Sequence, residues 1–218
     1  MKKILLVDDH PLLREGLGRL ISAEPGISVC GAAGSVQEAL SLVESAKPDL
    51  VITDLTLPGR NGLELIKDMA VIHPSLPVIV LSMHDEVIYA ERALRAGARG
   101  YVMKNAPPER LIEAIHMVLG GGVYASPTIT SHLLQSLSSG KGQAKPSFPM
   151  ERLTDREMEV FELIGTAKSN HDIASRLGIS PRTVDAHRAH IREKLGLGDC
   201  NELTRHAIRW IEVGMLGK

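Results

Sequence analysis

The segment Leu50–Gly62, which reads LVITDLTLPGRNG, constrains the fold of this chain more than any other. An apolar run ends at Thr53 and is followed at once by a carboxylate, Asp54, and then by residues that favour turns. A short apolar run stopped by turn chemistry predicts a strand buried on both faces. Ligands of open parallel sheets bind just beyond the carboxyl ends of the strands, where Asp54 would lie. The alternative is an aspartate that only caps the next turn.

Residues 3–122 alternate short apolar runs with stretches of helical periodicity. Five such β/α repeats, with short joints that contain glycine or proline, predict a doubly wound parallel sheet with helices on both faces. Right-handed crossovers leave few strand orders, and the pattern leaves the choice among them open. The predicted strands are Ile4–Val7, Val29–Ala33, Leu50–Thr53, Val78–Leu81 and Tyr101–Met103.

Four predicted strands end in polar residues that indicate one kind of chemistry. Asp8 and Asp9 follow the first strand, Asp54 the third, Ser82 the fourth and Lys104 the fifth. Neighbouring carboxylates repel one another, so a cation is expected among them, and hard oxygen ligands with room for water suit Mg²⁺. An ammonium group can pair with Asp54 or with a phosphoryl group placed on it. The set predicts a phosphoryl-accepting site in which Asp54 attacks and nearby charges stabilise the transferring oxygens.

Composition and charge narrow the class of protein. The chain has 218 residues, 44% of them apolar, a net charge of −1 and only two cysteines, Cys30 and Cys200. This overall charge indicates neither nucleic acid nor a membrane as a partner, and two distant cysteines fit a reduced compartment. The apolar run after Met1 is too short for a signal peptide or a membrane span. We therefore expect a cytoplasmic protein without a membrane partner.

The character of the sequence changes after three glycines that end at Gly122. Ser126 and Pro127 are suited to begin a short helix, and its apolar positions would be Ile129, Leu133, Leu134 and Leu137. The polar segment 138–146 has no periodicity and is typical of a linker. We expect one domain at 1–122, a linker with a short helix at 123–150 and a second domain at 151–218.

The second domain carries the signals of a helix, a tight turn and another helix. Thr154 and Glu157 have the spacing of a capping box, with Leu153 placed as a hydrophobic staple. Farther on, Ser180 is suited to be an N-cap and Pro181 the first residue of a helix. The apolar stripe of that helix is Val184, Ile191 and Leu195, and its outward residues are Asp185, Ala186, Arg188, Ala189 and Arg192. The pattern predicts a helix-turn-helix.

Charge is segregated within residues 151–218, although 11 Lys or Arg balance 11 Asp or Glu. Acidic residues are concentrated near the first helix, whereas Arg182, Arg188, Arg192 and Lys194 lie on the candidate recognition helix. A basic face on that helix favours nucleic-acid binding. The alternative is an amphipathic helix with a solvated charged face.

Residues 3–122 resemble a two-component receiver domain, which has a flavodoxin-like (βα)5 fold. The matching positions are Asp8-Asp9, Asp54 within DLTLPGRNG, Ser82, Tyr101 and Lys104. The resemblance implies that Asp54 is the phosphoacceptor of a sensor histidine kinase. It implies that Asp9, Asp54 and the main-chain carbonyl of Thr56 hold Mg²⁺, with Asp8 acting through water.

The same resemblance implies that Ser82 and Tyr101 form a switch, which reports phosphorylation to the face built by the fourth helix, fifth strand and fifth helix. Many receivers have proline after the lysine, whereas this chain has Asn105. We expect a trans peptide bond there, because the cis form is costly for residues other than proline.

The second domain resembles the four-helix LuxR/FixJ-type DNA-binding domain in LTDREMEVFELI, SNHDIASRLGIS, RTVDAHRAHIREKLGL and NEL. The whole chain is therefore similar to a NarL/FixJ-family response regulator, a transcription regulator of promoter DNA rather than an enzyme. Ala167 stands where the family usually has glycine, so a slightly different turn is expected there. The positions matched to DNA binding are Asn170, Arg182, Thr183, Asp185, Ala186, His187, Arg188, Ala189, Arg192 and Lys194.

These positions divide into two expected roles. The phosphate contacts are Thr183, His187, Arg188 and Lys194, which match family positions near the DNA backbone. Asp185 is repelled by phosphates, so it is either a base reader that accepts from cytosine N4 or an intrahelical partner of Arg188 or Arg182. The small side chains of Ala186 and Ala189 are suited to contact thymine methyls.

The sequence leaves three further points open. A homodimer is expected on phosphorylation or DNA binding, with Ile208 and Ile211 either at the contact or packed on their own domain. An aspartyl-phosphate hydrolase would also use Asp54, but such enzymes usually have a second acid where this chain has Thr56. A regulator with an inactive receiver is the other alternative, and the intact set of pocket residues argues against it.

Overall fold

The computed structural model of the protein describes residues 1–131 and 149–216, and the chain divides into two compact units, Met1–Ser138 and Ser139–Lys218. The domain boundaries predicted from the sequence stay a prediction. Within the described residues, no helix combines the length and apolar character that crossing a bilayer requires.

The first unit is a sheet of five parallel strands in the order β2-β1-β3-β4-β5. The strands are β1 (Lys2–Val7), β2 (Ile27–Ala33), β3 (Leu50–Thr53), β4 (Val78–Ser82) and β5 (Gly100–Met103). The helices are α1 (Pro11–Ser22), α2 (Val36–Ala46), α3 (Gly62–Ile72), α4 (Glu86–Ala96) and α5 (Pro108–Leu119). The predicted doubly wound, flavodoxin-like architecture is confirmed.

The strand order places β1 and β3 side by side at the centre of the sheet, where every residue of β3 is buried. Alternate strand residues such as Leu6, Ile52 and Leu81 share one core with Ile21 of α1 and with the apolar face of α5. Because side chains alternate along a strand, the intervening residues point to the other face of the sheet. Burial on both faces explains why these strands are almost continuously apolar.

The chain continues along the edge of this sheet after α5. Tyr124 forms a single parallel bridge with Gly100 of β5, and the Ser126 hydroxyl donates to Glu86 of α4 at 3.0 Å. Residues 127–131 are helical and Ile129 is buried, so the predicted short helix is confirmed over this part. The remaining apolar positions predicted for it, and the polar linker 138–146, lie outside the described residues.

The described residues of the second unit, 149–216, form a short 3₁₀ helix (Pro149–Arg152) and four α-helices. These are α6 (Asp155–Gly165), α7 (Asn170–Leu177), α8 (Pro181–Leu195) and α9 (Cys200–Leu216). The predicted capping box at the start of α6 is present, and Ser180 caps α8 with Pro181 as its first residue. The aliphatic core includes Val184 and Ile191, as predicted, whereas Leu195 is half-buried.

Candidate functional site: an acidic pocket and a helix-turn-helix

The candidate phosphoacceptor lies at the carboxyl end of β3, next to the end of β1. The Asp54 amide donates to the Val7 carbonyl at 2.8 Å, which continues the ladder between the two strands. The Leu55 amide donates to Asp54 Oδ1 at 2.7 Å, so the carboxylate is oriented by its own chain. Asp54 is only 4% exposed, and a buried charge of this kind requires compensation.

Lys104 supplies that compensation. Its Nζ lies 2.7 Å from Asp54 Oδ2 and 2.6 Å from Asp8 Oδ2, and the lysine side chain is 8% exposed. Burial lowers the pKa of Lys104, but bonding to the two carboxylates outweighs it and the pKa is raised. The structure therefore brings two of the predicted acids, Asp54 and Asp8, to the ammonium group of Lys104, a third predicted residue.

The start of α3 packs against this strand end with almost no space. The Gly62 amide donates to the Leu55 carbonyl at 2.8 Å. A Cβ atom at Gly62 would lie 2.0 Å from the Asp54 carbonyl oxygen, so only glycine fits this position without moving backbone. The turn formers of the sequence thus include Gly62, which packs tightly against the main chain of the candidate phosphoacceptor.

A divalent cation has a suitable donor set in the same pocket. Atoms of Asp8, Asp9, His10 and Asp54 that could bind a metal lie within 4.8 Å of one another. Asp9 Oδ1 is buried and lies 2.7 Å from His10 Nδ1 without a hydrogen bond of normal geometry. A group of carboxylate oxygens, one of which (Asp9 Oδ1) is buried and has no hydrogen bond of normal geometry, is suited to bind a hard cation.

The predicted switch residues are joined through a residue that sequence reasoning missed, His84. The Tyr101 hydroxyl donates to the His84 carbonyl at 2.8 Å, and the His84 amide donates to Ser82 Oγ at 3.3 Å. The His84 ring also bonds Thr56 Oγ1 at 2.9 Å. Loops after β3 and β4 are thereby connected beside the pocket. The only sequence signal was a histidine two residues beyond a strand end.

The helix-turn-helix is built by α7 and α8. Gly178 ends α7 in the left-handed conformation with φ 63°, which glycine adopts without strain. Of the residues predicted to face outward on α8, Asp185, Ala186 and Ala189 are exposed, as are Arg182 and Thr183 at its start. Arg188 and Arg192, which were also predicted to face outward, are half-buried.

Several of the predicted DNA contacts have protein partners in this structure, among them Lys194 and Arg188. Lys194 Nζ lies 2.6 Å from Oε2 of the buried Glu157, and Arg188 donates to Asn170 Oδ1 at 3.3 Å. His187 is half-buried, and burial together with the charge of Arg156 lowers its pKa.

Family models match both units of the chain. Residues 4–116 match the response regulator receiver domain, and residues 151–207 match the bacterial regulatory proteins of the luxR family. The oxygen regulatory protein NreC of Staphylococcus carnosus is 35% identical over 95% of this chain and 97% of its own length. The transcriptional regulatory protein DegU of Brevibacillus brevis is 33% identical over 97% of this chain and 95% of its own. This chain belongs to the NarL/FixJ family of response regulators.

Solved structures agree with this assignment. A LuxR-family two-component response regulator from Aurantimonas sp. SI85-9A1 is 38% identical with a TM-score of 0.59, over 62% of this chain and 97% of that one. RcsB of Salmonella typhimurium is 23% identical with a TM-score of 0.71, over 96% and 98%, and shares the fold. The response regulator described here thus has a receiver domain and a LuxR-type helix-turn-helix domain.

Two departures of this response regulator from its family have visible outcomes. The Lys104–Asn105 peptide bond is trans, as expected. Ala167 has φ 56°, and it follows the end of α6 where its amide donates to the Ile164 carbonyl at 3.0 Å. The turn therefore keeps the left-handed conformation that glycine normally supplies, although alanine adopts it at a cost.

The candidate dimer residues of this response regulator, Ile208 and Ile211, are both half-buried on α9. The Ile211 side chain lies so close to α6 that a Cβ at Gly165 would be 2.6 Å from its Cγ1. This contact favours the alternative, in which Ile211 packs on its own domain.

Proposed function

We propose that this response regulator is phosphorylated on Asp54 by a sensor histidine kinase and then regulates transcription by binding specific promoter sequences. The observation that carries the proposal is the buried carboxylate of Asp54, held by the Leu55 amide on one oxygen and by Lys104 on the other. A carboxylate that is oriented by a backbone amide, paired with an ammonium group and adjacent to further acidic ligands is suited to nucleophilic attack.

In the proposed reaction, an Asp54 oxygen forms a bond to phosphorus while the bond from phosphorus to the kinase imidazole nitrogen breaks, and its electron pair stays on that nitrogen. Lys104 is placed to stabilise negative charge on the phosphoryl oxygens, and the Ser82 hydroxyl is suited to donate to one of them. Mg²⁺, held by Asp9, Asp54 and the Thr56 carbonyl, with Asp8 acting through water, would offset the charge of the transferring group.

The product stays on the protein, so the chain is a signalling acceptor and not an enzyme that turns over a substrate. Thr56 supports this reading, because it occupies the position at which aspartyl-phosphate hydrolases usually place a second acid, and its hydroxyl is bonded to His84. Through His84 the same loop reaches Tyr101, which gives a route from the phosphoacceptor to the proposed switch of Ser82 and Tyr101.

The second domain is proposed to bind double-stranded DNA as a homodimer, with α8 in the major groove. Exposed Arg182 and Thr183 and half-buried His187 and Arg188 are suited to phosphate, and exposed Asp185, Ala186 and Ala189 to base edges. Solved RcsB structures include one bound to promoter rprA with phosphomimetic BeF3⁻ and one of two dimers bound to two parallel DNAs. Since bacterial promoter DNA lies in the cytoplasm, we propose that the protein acts there.

The test uses the full-length protein with a small phosphodonor and Mg²⁺. Wild type should acquire one phosphoryl group per chain, detected by intact mass, and should elute earlier from a sizing column. Asp54→Asn should acquire none, whereas Asp68→Asn, a surface aspartate of α3 paired with Arg60, should behave as wild type. Unmodified wild type would establish an inactive receiver, and label that persists in Asp54→Asn would assign the acceptor elsewhere.

A further inference from the structure

A series of hydrogen-bonded side chains joins helices α7, α8 and α9 of the DNA-binding domain. Asn170 Nδ2 donates to Asp185 Oδ1 at 2.5 Å, and Arg188 Nη1 donates to Asn170 Oδ1 at 3.3 Å. Arg188 Nη2 in turn donates to Thr204 Oγ1 of α9 at 3.4 Å. Asn170, the first residue of α7, therefore lies between an acid and a base of the recognition helix α8.

Chemistry allows only this orientation of the Asn170 amide. A carboxylate accepts hydrogen bonds and a guanidinium donates them, so the amide nitrogen must face Asp185 and the amide oxygen must face Arg188. The dipole of the amide is thus aligned with the field between the two charges. Asp185 and Arg188 are three residues apart on α8 and could have paired directly, yet each is bonded to Asn170 instead.

The arrangement limits what Asp185 can do. One carboxylate oxygen accepts from Asn170, and the other, together with the unused lone pairs of the first, can still accept from a base. Asp185 is exposed, whereas Asn170 and Arg188 are half-buried, so the network supports the acid from the protein side. A free aspartate would sample several rotamers and would be driven away from the phosphates, but a held aspartate presents its oxygen in one direction.

We infer that Asn170 is a specificity-determining positioning residue, which acts through Asp185 by holding its carboxylate in the orientation that reads one base pair. This inference rests on the proposed DNA binding and adds a role for Asn170 that does not require contact with DNA. It also separates the two alternatives for Asp185, since the acid is held by α7 across the helix-turn-helix rather than by an arginine of its own helix.

The test is selection of binding sites from random DNA by the full-length phosphorylated protein, followed by titration of the selected site and of its single-base variants. Asn170→Ala and Asp185→Ala should each reduce discrimination at the same base position by about tenfold. The double variant should lose no more than either single variant, because the two residues act as one unit. Ser175→Ala, an exposed polar residue of α7, is the matched control and should select the wild-type site.

Two readouts separate positioning from a merely structural role. Asn170→Ala removes no charge, so the salt dependence of its DNA affinity should keep the wild-type slope. Asn170→Asp has the same size, but it places a carboxylate against Asp185. This variant should lose discrimination at the same base position, and its thermal unfolding should show that the domain is still folded.

The outcomes are distinct. If the double variant loses discrimination by the product of the two single losses, Asn170 does not act through Asp185. Selection of the wild-type site by either single variant would likewise overturn the role of Asn170. Both outcomes would leave the proposed DNA-binding function intact. Wild-type protein that enriches no sequence would reject the proposed function itself, and this inference with it.

Discussion

The ammonium nitrogen of Lys104 lies 2.7 Å from Oδ2 of Asp54, and the two side chains are 8% and 5% exposed. A second carboxylate, that of Asp8, lies 2.6 Å from the same nitrogen. Because an ion pair buried this deeply is costly to leave incomplete, we expect Lys104 to contribute to the stability of the pocket as well as to the proposed phosphoryl transfer.

Replacing Lys104 by Met should therefore destabilise the receiver by about 3 kcal/mol in the absence of metal, since two buried carboxylates lose their cation. Mg²⁺ should restore part of this loss, because it binds the folded pocket and not the unfolded chain. Urea unfolding with a chelator and with Mg²⁺ measures both effects. Lys47→Met, at an exposed position that directly follows α2, should change stability by less than about 0.5 kcal/mol. Equal stability of Lys104→Met and wild type in chelator would contradict the pairing.

The ion pairs of Lys104 with Asp54 and Asp8 should also make the stability of the receiver depend on pH in the alkaline range. The pKa of Lys104 is raised in the folded protein, so its contribution is fully present below the unfolded value of about 10.4. The contribution is lost as pH rises through the folded pKa. The difference in unfolding free energy between wild type and Lys104→Met should accordingly shrink above about pH 10.4. A difference that stays constant with pH would show that the raised pKa does not stabilise the fold.

Gly62→Ala should destabilise the receiver by about 3 kcal/mol, because the new methyl would clash with the main chain of Asp54. Relieving the clash requires a shift of the backbone, which costs more free energy than a change of side-chain rotamer. The substitution should also slow phosphorylation, since Asp54 must shift. Gly16→Ala is the control: its Cβ meets nothing within 4 Å in α1, so it should stabilise by up to about 1 kcal/mol. Chemical unfolding and the rate of phosphoryl incorporation report the two effects, and a neutral Gly62→Ala would refute the close approach.

Ala167→Gly should stabilise the DNA-binding domain by about 1 kcal/mol, because alanine at φ 56° carries a steric cost that glycine does not. Ala186→Gly has the opposite expected sign, since it places glycine in the exposed interior of α8 and should cost about 1 kcal/mol. Thermal unfolding of the two variants and the wild type measures both changes in stability. Destabilisation by both would mean that residue 167 is not left-handed in solution.

Lys194 and Arg182 should respond differently to alanine, although both are basic residues of α8. Lys194→Ala should cost about 1–2 kcal/mol of stability, a value reduced from that of a fully buried pair because Lys194 is a third exposed. Arg182 is exposed, so Arg182→Ala should leave stability unchanged and reduce the magnitude of the salt slope of DNA binding by about 0.9. An unchanged salt slope for Arg182→Ala would exclude it from phosphate contact.

The difference in unfolding free energy between wild type and Lys194→Ala should disappear at low pH. Burial raises the pKa of Glu157, but hydrogen bonds from Lys194 and Thr154 outweigh it and the pKa is lowered. The contribution is present above the unfolded value of about 4.3 and is lost as pH falls through the folded pKa. Wild type and Lys194→Ala should therefore converge in stability at low pH, and a gap that persists would assign the cost to packing.

Local sequence determined the elements of this protein and the residue types at their ends. The apolar run of β3, the capping box of α6 and the Ser180-Pro181 start of α8 were predictable because periodicity and capping operate over a few neighbouring residues. The acidic pocket was predictable too, because the carboxyl ends of parallel strands meet at one edge of a sheet.

Only the tertiary structure decided which polar groups become partners. The strand order was open in the sequence, and the bond between Thr56 and His84 joins positions 28 residues apart. The sequence predicted that Lys194 contacts a DNA phosphate, yet the packing of α8 on α6 brings this lysine to the buried Glu157. Hydrogen bonds require separations near 3 Å, which depend on how helices and strands pack, and no local pattern specifies that packing.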